Sequence, residues 1–227
     1  TKPKFDSIAT GSPTIPVDAL NPIELQDYGY YASFLPKPQD STKIWTGNLN
    51  KYDVFNGQLG RKGTGINAAK IIPLIKSDGK LDSSVQGLWT GGVEGKLPLG
   101  TGINNTSRRT IFTNRQIDSN NQAISSQTLT QVNLETLFDA DATKAKFKKD
   151  EQKNFWLNAL GYKVDVGSTM TLASLPTEER RKLGSVMHSK PILLTQSGEI
   201  DPTQTSITTS NREDYLLFGT TQGALHV

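Results

Sequence analysis

The sequence contains no cysteine and only two histidines, His188 and His226, among its 227 residues. The absence of thiols removes cysteine nucleophiles and leaves the redox compartment of the protein open. Both histidines lie in segments with the composition of β-strands, where a structural hydrogen bond is several times more common than catalysis. No nucleophile-elbow motif is present to anchor a serine triad. We therefore predict that the chain is not an enzyme and has no catalytic residue.

Long apolar runs and blocks of like charge are also absent. No apolar run approaches the roughly 20 residues of a membrane helix, and the sequence contains no signal peptide. The net charge is +3 without a long lysine or arginine block, so the charge pattern does not indicate a nucleic-acid partner. Charged residues make up only 21%, while small polar residues are abundant. This composition favours strands and polar loops over long helices, so we predict a mainly β protein.

Two segments near the N-terminus predict strands. Residues 27–35 form an aromatic run that ends at a proline turn, and residues 43–55 form a second run that contains Trp45, Gly47 and Tyr52. The apolar positions of the second run do not keep a single alternation, which a β-bulge at Gly47 would repair. We interpret Trp45 and Tyr52 as core aromatics, with Trp45 as a buried anchor.

The C-terminal part of the sequence predicts a β-hairpin. Residues 215–219 are apolar, residues 220–223 have turn chemistry that ends in glycine, and residues 224–227 begin a second apolar run. Because the second run has barely begun, we expect the sequence to be a fragment. We also expect residues 215–227 to leave an open edge and to pair with strands from outside this sequence.

A further strand candidate, residues 185–195, lies upstream of this hairpin. It contains Pro191, which has no N–H for a sheet hydrogen bond. Pro191 is therefore predicted to lie at a strand start, at an edge or at a bulge.

One region, residues 133–161, predicts helices. Asn133 can cap a first short helix, and a second is predicted from about Thr143 to Leu160, with Gly161 as its C-terminal stop. The charged residues of its first half are interpreted as a solvated helix face; they are Lys144, Lys146, Lys148, Lys149, Asp150, Glu151 and Lys153.

One segment has part of the pattern of a calcium loop. Asp139, Asp141, Thr143 and Asp150 occupy its first, third, fifth and twelfth positions. The sixth position, however, is Lys144, where the sharp turn needs glycine. We therefore assign no metal site to this segment.

Two other kinds of binding motif are incomplete. Asp118, Asn120 and Gln122 form an oxygen-rich cluster without a bidentate acid at its end, which favours a polar loop. Residues 57–65 and 91–96 are rich in glycine but lack the spacing with which backbone amides wrap a phosphate. No metal-binding or cofactor-binding residue is predicted in this chain.

Two parts of the sequence carry a resemblance to a known family. Residues 45–52 contain, in order, Trp, Gly-Asn-Leu, Lys and Tyr, and residues 183–191 with 215–227 contain His-Ser-Lys-Pro and a later Gly-Ala-Leu-His. These patterns resemble the PilC/PilY family, the tip-associated adhesins and assembly factors of bacterial type IV pili. The chain departs from the family pattern at Ser185, which replaces an acidic residue, at Lys190, which replaces arginine, and in the turn before Gly223, where Thr-Gln replaces Asn-Asp.

The resemblance implies a β-rich region with a helical insertion that leads into a β-propeller. Such a propeller is similar to those of quinoprotein dehydrogenases, and its remaining blades would be absent from this chain. The implied regions are an extended lead-in or linker (1–26), a β-rich region (27–132), a helical insertion and connection (133–182) and the first, truncated propeller strands (183–227). Calcium is implied only elsewhere in the parent protein, because the family's calcium loop has no counterpart here.

The function implied by the resemblance is that of a non-enzymatic, surface-exposed component of the type IV pilus system. It would act in fimbrium biogenesis, in the control of pilus assembly and retraction during twitching motility, and in cell adhesion. Its location would be the cell surface, at the pilus tip or the outer membrane, after export. The implied partners are the remaining propeller blades of the same protein, pilins or minor pilins, and a host-cell or surface receptor. Two alternatives stay open, a fragment of a quinoprotein-like propeller enzyme and a carbohydrate-binding adhesin module.

Overall fold

The chain divides into two compact units in a computed structural model. The first unit is Thr1–Lys96 with Lys182–Val227, and the second is Leu97–Arg181. The structure describes residues 8–9, 14–16, 26–35, 45–67, 70–98, 109–165, 167–178, 180–187, 189–201, 203 and 208–227. Strands dominate and the helices are short, so the prediction of a mainly β protein is confirmed. Within the described residues, none of the helices has the length and apolar character needed to cross a membrane.

The first unit contains a five-stranded antiparallel sheet in which each strand pairs with its neighbours in sequence. Its strands are β1 (Ile8–Ala9), β2 (Tyr28–Leu35), β3 (Thr46–Phe55), β4 (Gln58–Lys62) and β5 (Ile71–Pro73), and a short helix follows, α1 (Gly92–Lys96). The predicted strand at residues 27–35 is confirmed as β2. Asn56 and Gly57 join β3 to β4 with φ angles of 49° and 73°, as the tight turn of a twisted hairpin requires.

The core of this sheet lies on one face of β2 and β3. Tyr31 and Tyr52 pack there against Leu74 and Val85, and all four side chains are buried. The interpretation of Tyr52 as a core aromatic is therefore confirmed. Because β2 and β3 pair without interruption from Tyr28–Asp53 to Leu35–Thr46, the residues of β3 alternate strictly between the two faces.

A second, three-stranded sheet in the first unit contains β8 (Ile192–Asp201), β9 (Thr208–Gly219) and β10 (Leu225–His226), with β9 in the centre. The predicted hairpin is confirmed as β9 and β10, joined by a turn in which Gly223 has a φ of 76°. Pro191 immediately precedes β8, so its predicted place at a strand start is also confirmed.

The expectation that residues 215–227 pair with strands from outside this sequence is wrong for residues 215–219, which lie in β9. Leu194 pairs with Tyr215 and Ile192 with Leu217, so β9 has a partner on both sides within the chain. This pairing could not be predicted from the sequence, because β8 continues beyond its apolar residues 192–194, through polar residues to Asp201.

The second unit combines a β-hairpin with two helices. The hairpin consists of β6 (Ile111–Ile117) and β7 (Ala123–Val132), and the helices are α2 (Leu134–Phe138) and α3 (Lys153–Leu160). Asn133 caps α2 as predicted, since its Oδ1 accepts a hydrogen bond from Thr136 N–H at 2.8 Å. Gly161 ends α3 as predicted, with a φ of 104°.

The second predicted helix is shorter than expected, because residues 141–152 form turns instead of helix. Asp139 and Asp141 each accept a hydrogen bond from the backbone N–H two residues further on, at 2.7 and 2.9 Å. Such local bonds compete with helical hydrogen bonds and favour turns. The lysines of this segment are solvated as predicted, apart from Lys153, which is half-buried over the Phe138 ring.

The observed units do not follow the predicted boundary between residues 132 and 133. Val132 of β7 is fully buried in one core with Leu137, Phe147 and Leu157, and Ile111 of β6 packs against it. The hairpin and the helices therefore share a single core within Leu97–Arg181, which is why they form one unit.

Candidate functional site

A ladder of backbone hydrogen bonds joins the two segments in which the sequence is most distinctive. Gly47 N–H donates to Leu183 O at 3.0 Å, and Ser185 N–H donates to Trp45 O at 3.0 Å. On its other side, Ser185 O accepts a hydrogen bond from Thr221 N–H at 2.9 Å. Residues 183–186 therefore lie between the start of β3 and the turn after β9, and we call this arrangement the junction.

Two glycines of the junction are required by close approach of the backbone. A Cβ on Gly47 would lie 2.6 Å from Ser185 Cα and 2.9 Å from Ser33 O. A Cβ on Gly184 would lie 2.8 Å from Gln222 Cγ. The predicted β-bulge at Gly47 is wrong, because β3 keeps its register with β2 through this residue. Gly47 is instead the point at which a third stretch of backbone contacts β3.

Trp45 is half-buried, so its interpretation as a fully buried anchor is corrected. Its indole stacks on the Phe34 ring with a centroid distance of 5.3 Å and an interplanar angle of 3°. The indole thus covers the end of β2 beside the junction while keeping one part in contact with solvent. Large aromatic surfaces of this kind contribute to stability even when they are only partly buried.

The substitution Trp45→Ala is expected to lower the free energy of unfolding by roughly 2–3 kcal/mol, less than the roughly 3–5 kcal/mol typical of a fully buried tryptophan. Trp45→Phe keeps a ring on Phe34 and should cost less than about 1 kcal/mol. Urea titrations followed by circular dichroism would measure both values. An unchanged midpoint for Trp45→Ala would contradict a role in holding this end of the sheet.

The side chains of Asn48 and Asn50 fasten a loop, residues 84–92, to the edge of β3. Asn50 Oδ1 accepts hydrogen bonds from Trp89 N–H at 3.3 Å and from Lys51 N–H at 2.9 Å. Asn48 Nδ2 donates to Gly91 O at 2.8 Å, and its Oδ1 accepts from Glu94 N–H at 3.0 Å. We call residues 84–92 the Trp89 loop.

The Trp89 loop contacts these amides through glycines. A Cβ on Gly87 would overlap the Asn50 amide, and a Cβ on Gly92 would lie 2.5 Å from Asn48 Oδ1. Leu88 N–H also donates to Lys51 O at 2.7 Å, so the loop continues the hydrogen bonding of the sheet beyond β3. Sequence reasoning missed this role, although a pair of asparagines at alternate positions of a strand was a signal for it.

An open cavity of about 460 Å³ lies between the Trp89 loop and the β4–β5 edge of the sheet. Among the described residues, its lining combines one cation, three neutral polar side chains and three apolar ones: Arg61, Ile72, Ser84, Val85, Gln86, Leu88 and Thr90. Such a mixture suits a small polar ligand that has an apolar face.

On the opposite face of β3, an aromatic cluster surrounds Lys51. The Lys51 ammonium lies 3.9 Å above the centre of the Tyr28 ring, and Tyr30 contacts Trp89 with ring centroids 5.7 Å apart. Burial, reinforced by Asp214, raises the pKa of Tyr30 to about 12. Burial also lowers the pKa of Lys51, although Asp214 opposes this shift. The cation–π contact and the burial together point to a structural role for this cluster.

In the second unit, the Asp150 carboxylate is held by hydrogen bonds from neighbouring residues. Its carboxylate accepts hydrogen bonds from Arg115 NH2 at 2.7 Å and from Trp156 Nε1 at 2.9 Å. Burial raises the pKa of Asp150, but the hydrogen bonds from Arg115, Trp156 and Gln152 N–H outweigh it and hold the pKa below its usual range. Its interpretation as part of a solvated helix face is wrong, because the side chain is completely buried.

The remaining polar residues noted in the sequence lie in loops or strands. Asp118 Oδ1 accepts hydrogen bonds from Asn120 N–H and Gln122 N–H, as a polar turn requires. His226 lies in β10, as predicted, and stacks on Phe218 at 5.0 Å, whereas His188 lies outside the described residues. Across the described part of the chain, histidine and acidic side chains form no cluster of three or more that could hold a metal ion.

Comparison of the chain with protein-family models, with characterised proteins and with solved structures finds no match.

Proposed function

We propose that the chain is a non-enzymatic, surface-exposed part of a type IV pilus protein of the PilC/PilY kind, which acts in pilus assembly, retraction control and adhesion. The observation that supports this proposal most is the junction. The two segments that resemble the family, residues 45–52 and residues from 183 onwards, bond to each other through Gly47, Leu183 and Ser185. The contact brings the two parts of the chain that carry the resemblance together in one structural feature.

We further propose that the sheet of β8, β9 and β10 belongs to the first blade of a β-propeller. The support is its outer face, where Ile192, Leu194 and Leu225 are 63%, 53% and 70% exposed and share one side with Tyr215. A contiguous apolar sheet face of this kind is normally covered. In this proposal the remaining blades of the same protein cover it, while pilins and a host-cell or surface receptor bind elsewhere on the exported protein, at the pilus tip or the outer membrane. Calcium belongs, in this proposal, to a later blade.

Deletion of the gene is expected to reduce the number of surface pili and to abolish or weaken twitching motility. Complementation with the Gly219→Ala variant should restore both, because a Cβ there meets Ser189 Oγ only at an ordinary 3.4 Å. Complementation with Gly47→Ala should not restore them, because the added Cβ disrupts the junction. Electron microscopy would count the pili, and agar stabs would measure twitching. Normal piliation and motility in the deletion strain would refute the proposed function.

A further inference from the structure

We propose that the cavity between Arg61 and the Trp89 loop binds a sugar that carries a carboxylate, such as a uronic acid or a sialic acid. The inference rests on the adhesive part of the proposed function and names the class of ligand. The cavity, at about 460 Å³, lies in the size range of small-molecule sites, roughly 300–1,000 Å³, and has room for one or two sugar rings.

The Arg61 guanidinium supplies N–H groups that are available to a ligand. Its side chain is 38% exposed, and its one ion pair is a 3.7 Å contact between Nε and Asp53 Oδ2. Within the described residues, the guanidinium makes no hydrogen bond, so its terminal NH2 groups can donate to a ligand. A planar guanidinium pairs best with a carboxylate, which accepts two parallel N–H bonds. Arg61 thus lies beside Asp53 through Nε and also lines the cavity.

The neutral polar side chains of the cavity match sugar hydroxyls. Ser84 Oγ donates to Asp82 Oδ1 at 2.7 Å, which leaves the lone pairs of the Ser84 hydroxyl as acceptors. The side chains of Gln86 and Thr90 line the cavity and have no hydrogen-bond partner in the described part of the chain. Hydroxyl and amide groups both donate and accept, as ligands with several hydroxyls require.

The charge and the apolar residues of the cavity further restrict the class of ligand that it can bind. Among the described residues that line it, Arg61 is the single cationic side chain, which favours one carboxylate over a doubly charged phosphate. Ile72, which is 57% exposed, and Leu88 supply apolar surface for the C–H face of a sugar ring. The apolar surface of Ile72 and Leu88 would not contribute to the binding of a purely ionic ligand.

The Trp89 loop, which lines one side of the cavity, is fixed to β3 by hydrogen bonds before any ligand binds. Leu88 N–H is bonded to Lys51 O, Trp89 N–H is bonded to Asn50 Oδ1, and Gly87 contacts the same amide closely. A loop fixed in this way loses little conformational freedom when a ligand binds, which favours affinity. The close approach at Gly87 thus positions the polar side chains on either side of it.

Isothermal titration of the purified chain with glucuronate and with N-acetylneuraminate tests this proposal, with glucose as the uncharged comparison. Arg61→Gln is expected to weaken binding of both acids at least tenfold, and Gln86→Ala should weaken it about threefold to tenfold. The matched control is Lys62→Gln, which removes a neighbouring positive charge that pairs with Asp27 at 3.2 Å and does not line the cavity. That control should bind like the wild type, and all variants should keep the wild-type melting temperature.

Several outcomes would overturn the proposal: no binding of either acid by the wild type, equal weakening by Lys62→Gln, or binding of glucose as tight as that of the acids. Binding of a peptide C-terminal carboxylate through Arg61, without binding of the sugars, would also overturn it. Failure of the pilus proposal can be distinguished from failure of the cavity proposal. A deletion strain with normal pili would refute the pilus proposal, whereas the titration of the purified chain would still show the acidic sugars binding. Conversely, Arg61→Gln in the cell should lower adhesion to surfaces rich in acidic sugars at normal pilus number.

Discussion

Replacing Gly47 by alanine is expected to lower the free energy of unfolding of the first unit by roughly 2–3 kcal/mol. The new Cβ would lie 2.6 Å from Ser185 Cα and 2.9 Å from Ser33 O, and both obstacles are backbone. Overpacking of this kind costs roughly 1–3 kcal/mol. If the segment moves away instead, the hydrogen bonds of Gly47 to Leu183 and of Ser185 to Trp45 break, at about 1 kcal/mol each.

Hydrogen exchange followed by mass spectrometry would locate this effect. In Gly47→Ala, peptides that cover residues 45–55 and 180–187 should exchange faster together, while peptides from residues 111–160 should be unchanged. Gly219→Ala is the matched control, because it also adds a methyl group to a strand glycine of the first unit but finds its nearest neighbour at 3.4 Å. Equal exchange in Gly47→Ala and in the control would show that the backbones at the junction are not in close contact.

Replacing Asp150 by asparagine is expected to destabilise the second unit by roughly 2–4 kcal/mol, a value reduced from that of a fully buried pair because Arg115 is 24% exposed. All the partners of the Asp150 carboxylate are N–H donors: Arg115 at 2.7 and 3.0 Å, Trp156 at 2.9 Å and Gln152 N–H at 2.9 Å. An amide presents its own N–H2 group to at least one of these donors and leaves the guanidinium without its counter-charge.

The control for this substitution is Glu151→Gln. Glu151 is exposed and lies 3.5 Å from the same Arg115 NH2 group, so its loss should cost less than about 0.5 kcal/mol. Unfolding in urea can be followed through Trp156 alone when Trp45 and Trp89 are replaced by phenylalanine. If Glu151→Gln proved as destabilising as Asp150→Asn, the pairing of Arg115 with Asp150 would be refuted.

The effect of Asp150→Asn should also depend on pH. The pKa of Asp150 is held below its usual range, so its stabilising contribution is fully present above the ordinary pKa of an aspartate and is lost as the pH falls through the lowered pKa. The difference between wild type and Asp150→Asn should therefore be constant from neutral pH down to about pH 5 and shrink below about pH 4. A difference that grows as the pH falls would contradict this sign.

Local signals in the sequence were sufficient for several elements. The aromatic run of β2, the glycine turn between β9 and β10, the Asn133 cap and the Gly161 stop all depend on residues within a few positions of each other. The preferences of these residues act on their own backbone, so they can be predicted without a fold. Local preferences also explain why the helix predicted from Thr143 is wrong. Asp139 and Asp141 form turns there, and the spacing of the lysines does not indicate these turns.

The candidate site, in contrast, depends on contacts between distant residues. The sequence predicts a bulge at Gly47 because the residue that approaches it, Ser185, lies far along the chain. The amide of Asn50 holds the Trp89 loop through a hydrogen bond that no local pattern specifies. Arg61 and Gln86 line one cavity only because the loop is fixed in that place. Apart from the alternate positions of Asn48 and Asn50 in β3, these contacts leave no signature in the spacing of residues, which is why the sequence predicts no binding residue.

The junction has a consequence for the order in which the protein folds. Its hydrogen bonds join β3 to Leu183 and Ser185, and the whole of Leu97–Arg181 lies between them in sequence. Contacts of such large sequence separation form late, because the entropy of closing a long loop is lost before any bond is made. The hairpin and the helices of the second unit, in contrast, contact neighbours along the chain. We therefore expect the second unit to fold before the junction closes, and its compaction shortens the loop that the junction has to close.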